Sequence, residues 1–141
     1  MTDQIYPCLW FDGQAQAAAE YYCSVFKNSR IIADNQMVVT FELNGNKFMG
    51  LNGGPQFKFN ESISFVIDCE TQVEIDHYWN SLIADGGKEG NCGWLKDKFG
   101  VSWQIVPIVL LKLLNDPTRA QRVMAAYMKM KKFDIETLLN A

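Results

Sequence analysis

The chain has a single histidine, His77, in 141 residues, and that scarcity removes most chemistry that depends on an imidazole. A Ser-His-Asp or Cys-His enzyme needs a base beside its nucleophile, and the sequence offers His77 no such partner. His77 falls off the Ile75/Tyr78/Trp79/Leu82 face of its amphipathic segment, so it is expected to point to solvent. The four cysteines, Cys8, Cys23, Cys69 and Cys92, show neither CxxC spacing nor an accompanying histidine cluster, which argues against a zinc site or a redox pair. They lie in or near apolar strand and helix patterns, where a free cysteine is ordinarily buried. No apolar run approaches the roughly 20 residues that cross a bilayer. The N-terminus lacks a basic segment followed by an apolar stretch, so no secretory signal is expected. Lys and Arg number 13 against 16 Asp and Glu, and the densest basic run (Lys129, Lys131, Lys132) is followed by Asp134 and Glu136. No basic patch with interleaved aromatics is present to hold nucleic acid. These absences describe a cytoplasmic, reduced protein with neither a membrane nor a nucleic-acid partner.

What is present is enough to build a core. Hydrophobic residues make up 48% of the chain, and its length fits a single domain, 1–141. Within it a segment recurs: Asp12–Tyr22 reads DGQAQAAAEYY, and 56 residues later Asp68–Tyr78 reads DCETQVEIDHY. Asp12, Gln16, Glu20 and Tyr22 fall on Asp68, Gln72, Asp76 and Tyr78. Later positions correspond at an offset of 55, with Gly45 and Phe48 on Gly100 and Trp103. Such a period marks a duplicated supersecondary unit.

The first copy opens with a strand over residues 5–11, where Pro7 suits a strand start or a sheet edge. A helix follows, with Ala15, Ala18, Ala19, Tyr22, Val25 and Phe26 on its buried face. A short strand at 30–33 and an alternating strand at 37–43 come next. Asn44-Gly45 is a hairpin signal, since both residues tolerate positive φ. Residues 47–52 form the return strand, and Gly53-Gly54-Pro55 opens a linker.

The second copy begins with a strand over 62–68 and a capping box, Thr71-x-x-Glu74. Its helix ends at Gly86-Gly87, and strands are expected near 88–91, 93–97 and 101–106. Beyond Pro107 the pattern is helical: 108–114, a helix capped by Asp116 with Pro117 first, and a short helix over 134–139. Ala120, Val123, Met124, Tyr127 and Met128 recur at helical spacing, which reads as a packing stripe rather than a soft binding surface. Asp12 and Asp68 sit where helix caps are needed.

The expected fold is therefore α+β. Two βαβββ modules (1–60 and 61–107) form a curved mixed sheet or half-barrel, followed by a helical tail (108–141). Each helix covers one sheet face, and the other faces curl into a concave interior of the kind that holds small molecules.

The stretches PCLWFDGQAQAAAEYYCSVFKNSRI, FELNGNKFMGLNGG, SFVIDC, CGWLKDKFGVSWQIVP and DPTRAQRVMAAYMKMKKFDI resemble the PhnB-like subfamily of the glyoxalase/bleomycin-resistance, or vicinal-oxygen-chelate, superfamily. Members of that subfamily are often labelled 3-demethylubiquinone-9 3-methyltransferases. The resemblance implies the paired-module fold and a homodimer whose modules pair within or across subunits. It departs from the pattern between Ile31 and Met37, where many relatives carry a longer Gly/Pro-rich loop at the cavity mouth.

Metal-dependent superfamily members carry His and Glu on the first and last strands of each module. Transfer puts those positions at Pro7, Met49, Ile63 (or Ser62) and Gln104, none a good ligand for a divalent metal. No metal and no other cofactor is expected. The methyltransferase label finds no support in Asn52-Gly53-Gly54-Pro55, which follows a strand but does not open a helix.

If Gln104 faces the cavity, alternation sends Ser102 the same way and puts Trp103 beneath the helix. By the same reasoning Leu9 and Phe11 face inward with Pro7, Asn52 sits at the rim, and Trp94 and Asp97 lead into the last strand. The cavity candidates are thus Leu9, Phe11, Met49, Asn52, Trp94, Asp97, Ser102 and Gln104. For Phe11, Trp94 and Trp103 a core role competes, and for Asp97 a turn-capping role. The functional expectation is a metal-independent small-molecule binding protein, or an enzyme of undefined substrate, with an apolar cavity. The alternatives are a metal-dependent lyase, isomerase or dioxygenase drawing on Asp97, Glu42 or a partner subunit, and a methyltransferase.

Overall fold

Asn44 and Gly45, at φ 51° and 81°, make a two-residue turn that joins strands in the first half of the chain. A computed structural model describes residues 3–141 and divides the chain into two compact units, Met1–Phe59 and Asn60–Ala141. The first contains β1 (Cys8–Phe11), α1 (Ala15–Val25), β2 (Arg30–Asp34), β3 (Val38–Leu43) and β4 (Asn46–Asn52). The second contains β5 (Ser64–Cys69), α2 (Gln72–Ile83), β6 (Lys88–Glu89), β7 (Trp94–Lys96) and β8 (Ser102–Pro107). It continues with α3 (Ile108–Leu114), α4 (Ala120–Tyr127) and α5 (Ile135–Leu139).

The two sheets have the same topology, β1-β4-β3-β2 and β5-β8-β7-β6. In each, the first strand pairs parallel with the last, and the remaining ladders are antiparallel. The fold is α+β, two βαβββ modules with a helical tail that belongs to the second unit.

In the first unit Ala15, Ala18, Ala19, Tyr22 and Val25 of α1 are buried, as are Val39, Phe41 and Leu43 of β3. Tyr22 stacks on Phe41 at 6.3 Å, and Phe41 on Phe48 at 5.6 Å. Close approach of helix and sheet depends on small residues. A Cβ on Gly50 would lie 3.1 Å from Val39 Cγ1 and 3.2 Å from Ala15 Cβ. Met37, expected to share the face of Val39, precedes the strand and is exposed.

In the second unit Ile75, Trp79 and Leu82 of α2 are buried, together with Leu95, Trp103 and Ile105. The capping box forms as expected: Thr71 Oγ1 accepts from Glu74 N, and Glu74 Oε1 accepts from Thr71 N. The tail is tied to the module by its backbone. Cys92 and Gly93 donate to the carbonyls of Met130 and Lys131, each at 2.8 Å.

Several expectations change. Asp12 and Asp68 are exposed and cap neither helix, because the N-caps are Gln14 and Thr71. At α1 the side-chain acceptor comes instead from the sheet, where Asn52 Oδ1 takes the Ala15 N–H at 2.9 Å. Residues 117–119 form a turn in which Asp116 Oδ1 accepts from Thr118 N and Oγ1, so α4 begins three residues later than Pro117 implies. The Met stripe is not packed: Val123 is buried, but Met124 and Met128 are 45% and 63% exposed. Among the cysteines, Cys69 is buried and Cys8 is exposed. His77 is exposed and lies edge-on to the Tyr78 ring at 5.0 Å.

Candidate functional site: the open face of the second sheet

Side chains on directly paired strand residues share a sheet face, so the ladders state which residues stand together. In the second sheet Trp94, Gln104 and Val66 form one cross-strand row, and Lys88, Lys96, Ser102 and Ser64 form the next. Both rows lie on the face turned away from α2. The opposite face carries Leu95 and Trp103, which pack beneath the helix, as the alternation predicts for Trp103.

Over the open face lies a cavity of about 500 Å³, lined by Glu61, Lys88, Gly90, Trp94, Lys96 and Ser102 among others. Its walls combine the Trp94 indole and other apolar surface with the charged ends of Glu61, Lys88 and Lys96. Lys96 Nζ contacts Glu61 Oε1 at 3.0 Å, and the ammonium holds that carboxyl below the usual carboxylate range. Gln104 Nε2 donates to Ser64 Oγ at 2.9 Å. Ser102 is 1% exposed, and its Oγ has no hydrogen-bond partner among the described residues. A buried hydroxyl is ordinarily satisfied, so an unpartnered one lining a cavity marks a place for another polar atom.

Of the eight cavity candidates, the structure gathers Trp94, Ser102 and Gln104 on this face. Leu9 and Phe11 lie elsewhere. The ladder partner of Met49 is Cys8, not Pro7, and a slip of one residue exchanges the faces of a strand. Leu9 and Phe11 are consequently buried on the helix side of the first sheet, at 6% and 2% exposure. Met49 stands on the open face of that sheet, in a row with Cys8 and Thr40. Asn52 is committed to structure: besides accepting from Ala15, its Nδ2 donates to Gln16 Oε1 (2.9 Å) and to the Gln36 carbonyl (2.8 Å). Asp97 is 3% exposed and accepts from Phe99 N, Val101 N and Trp103 Nε1, so it closes the turn and braces the core.

The inherited metal positions do not fit a metal. Ladder pairing sets Val66, not Ile63, beside Gln104, and Ile63 is exposed ahead of β5. Glu42 pairs with Arg30 at 2.9 Å, and Asp97 is occupied by the N–H groups of Phe99, Val101 and Trp103. Among the described residues no three His, Cys, Asp or Glu side chains gather as a metal would require. The glycines after β4 also have a packing explanation. A Cβ on Gly53 would overlap the Trp10 ring, and Trp10 Nε1 donates to the Gly54 carbonyl at 2.8 Å.

The sequence model of the family described as 3-demethylubiquinone-9 3-methyltransferase matches residues 3–106. The chain belongs to this family. The PhnB protein from Bacillus cereus is 32% identical to this PhnB-like chain, covering 74% of it and 99% of its own length, with a TM-score of 0.68. Two more distant structures share the fold. A glyoxalase-related enzyme from Fulvimarina pelagi is 16% identical, covering 77% of this chain and 90% of its own, at a TM-score of 0.57. A glyoxalase/bleomycin resistance protein from Albidiferax ferrireducens T118 is 10% identical, covering 72% and 95%, at 0.56. No curated protein matches the chain. The family match stops at the end of β8, so the helical tail of this PhnB-like protein lies beyond it.

The lining residues that sequence reasoning missed include Glu61, Lys88, Gly90 and Lys96. Lys96 could be reached by extending alternation back from Ser102 across the hairpin. Lys88 could not, because β6 is only two residues long and carries no periodicity.

Proposed function

We propose that this PhnB-like protein binds a small molecule, without a metal, over the open face of its second sheet. The observation that carries this reading is the unpartnered Ser102 hydroxyl, buried in the wall of a cavity about 500 Å³ in volume. That volume suits a small organic ligand, and the Trp94 indole offers it an aromatic wall. Among the described residues no hydrogen-bonded nucleophile–base pair lines the cavity, which favours binding over acyl or group transfer by the protein's own side chains. The decisive experiment is a thermal-shift screen of small aromatic compounds, followed by Trp94→Ala. Saturable stabilisation that is lost in the folded variant supports the reading; identical binding in the variant places the ligand elsewhere.

The transferase named in the family description is the second reading, and it rests on that match. S-adenosylmethionine binding by calorimetry would favour it. Stoichiometric metal in protein purified without tag or chelator would favour a lyase or oxygenase instead.

A homodimer accompanies the proposal. Every residue of the edge strand β2 is exposed, including Ile31 and Ile32 at 38% and 44%, and apolar strand edges gain by being covered. A monomer in light scattering at micromolar concentration would exclude it. Among the described residues no helix is long and apolar enough to cross a membrane.

A further inference from the structure

The cavity contains two lysines and two glutamates, but the four are not equivalent. Glu89 pairs with Leu95 in the ladder and accepts from Trp79 Nε1 at 2.9 Å, so it is committed to the α2 side. Lys88 and Lys96 are ladder partners on the open face, beside Ser102. Among the described residues Lys88 makes no ion pair, whereas Lys96 holds Glu61. Glu61 comes from the segment before β5, and its side chain is 63% exposed. An ion pair that open is weak and readily exchanged. With Glu61 displaced, the row Lys88–Lys96–Ser102 holds two cations beside a buried hydroxyl that has no partner among the described residues. Groups of this kind make charge-assisted hydrogen bonds to a carboxylate or similar anion.

We infer that the cavity takes an aromatic or apolar carboxylate, with Lys96 as its counter-ion and the Ser102 hydroxyl as a second contact, and that Glu61 occupies Lys96 until the ligand displaces it. The inference rests on the binding reading above and adds the ligand's charge. Glu61 serves as an internal competitor: it keeps Lys96 paired in the free protein and sets a threshold that neutral molecules do not have to overcome.

The test uses the full chain with 1-naphthoate and its neutral counterpart 1-naphthamide, read by amide chemical shifts at Gly90, Asn91 and Ser102. Naphthoate should shift these amides. Glu61→Gln, at an exposed position, should tighten naphthoate about 3–10-fold and leave naphthamide unchanged. Lys96→Met should weaken naphthoate about 10-fold or more with naphthamide again unchanged. Equal affinity for both compounds, insensitive to Glu61→Gln, overturns the anion inference while leaving the binding site in place. Failure of both compounds to move the Gly90 and Ser102 amides overturns the site as well. Because Glu61→Gln alone carries the competitor argument, the test stands even if Lys96→Met does not fold.

Discussion

Trp103 donates its indole N–H to Asp97 Oδ2 at 2.8 Å, and this contact turns an acidic residue beside the cavity strand into part of the core. The other oxygen of Asp97 takes the N–H groups of Phe99 and Val101, at 2.9 and 3.1 Å. The Trp103, Phe99 and Val101 groups are all donors, which suits a carboxylate. Asp97→Asn turns an amide N–H₂ toward at least one of them and should cost about 2–3 kcal/mol in urea unfolding. Ligand affinity of the folded fraction should not change. Loss of binding with stability retained would return Asp97 to the cavity.

Asn52 performs for α1 what Thr71 performs for α2, but from across the module. Asn52→Ala leaves the Ala15 N–H, the Gln16 amide oxygen and the Gln36 carbonyl short of a partner. The expected loss is about 1–2 kcal/mol, measurable by denaturant midpoint at unchanged slope. Asp12→Ala, which removes only an exposed side chain, should fall within about 0.5 kcal/mol of the parent.

Gly53→Ala tests whether the glycines after β4 serve packing. Its methyl group would overlap the Trp10 ring, so destabilisation of about 1–3 kcal/mol is expected. If those glycines instead cradled a cofactor phosphate, the same change would leave stability intact and remove nucleotide binding.

The tail is held partly by charge. Lys132 Nζ lies 2.8 Å from Asp76 Oδ1, and Gln72 Nε2 donates to the same oxygen at 3.0 Å. The Lys132 ammonium and the Gln72 amide hold the Asp76 carboxyl below its ordinary range. Its stabilisation is therefore complete above the unfolded value, about 3.9, and is lost as pH falls through the lower folded one. The pair is well exposed, so Asp76→Asn should cost no more than about 1 kcal/mol at pH 7. That difference should vanish at strongly acid pH, as followed by urea unfolding at both extremes.

Thiol labelling separates two cysteines that the sequence treats alike. Burial, aided by the Glu74 and Asp68 carboxylates, pushes the Cys69 thiol up to about 12, while Cys8 is exposed. Iodoacetamide at pH 8 should modify Cys8 and spare Cys69 until the protein is unfolded. Equal rates would mean that β5 opens readily.

The sequence by itself determined the local elements and their repetition. The Asn44-Gly45 hairpin, the Thr71–Glu74 capping box, the buried faces of α1 and α2 and the βαβββ order all follow from neighbours in the chain, where spacing and φ preference act directly. The placement of Trp103 beneath the helix also followed, because alternation within one strand is local. Tertiary structure decided register. The repeat offset is 58 from Cys8 to Val66, both on first strands, but 55 from Met49 to Gln104 on last strands. A single offset of 56 therefore cannot pair the strands, and a one-residue error moved Leu9 and Phe11 to the wrong face. Tertiary structure also decided which polar groups are already satisfied. Asn52 and Asp97 are occupied by donors and acceptors up to 37 residues away, whereas the Ser102 hydroxyl is left without a partner among the described residues. Hydrogen-bond partners at that range depend on which strands the fold brings side by side, and residue spacing along the chain does not encode them.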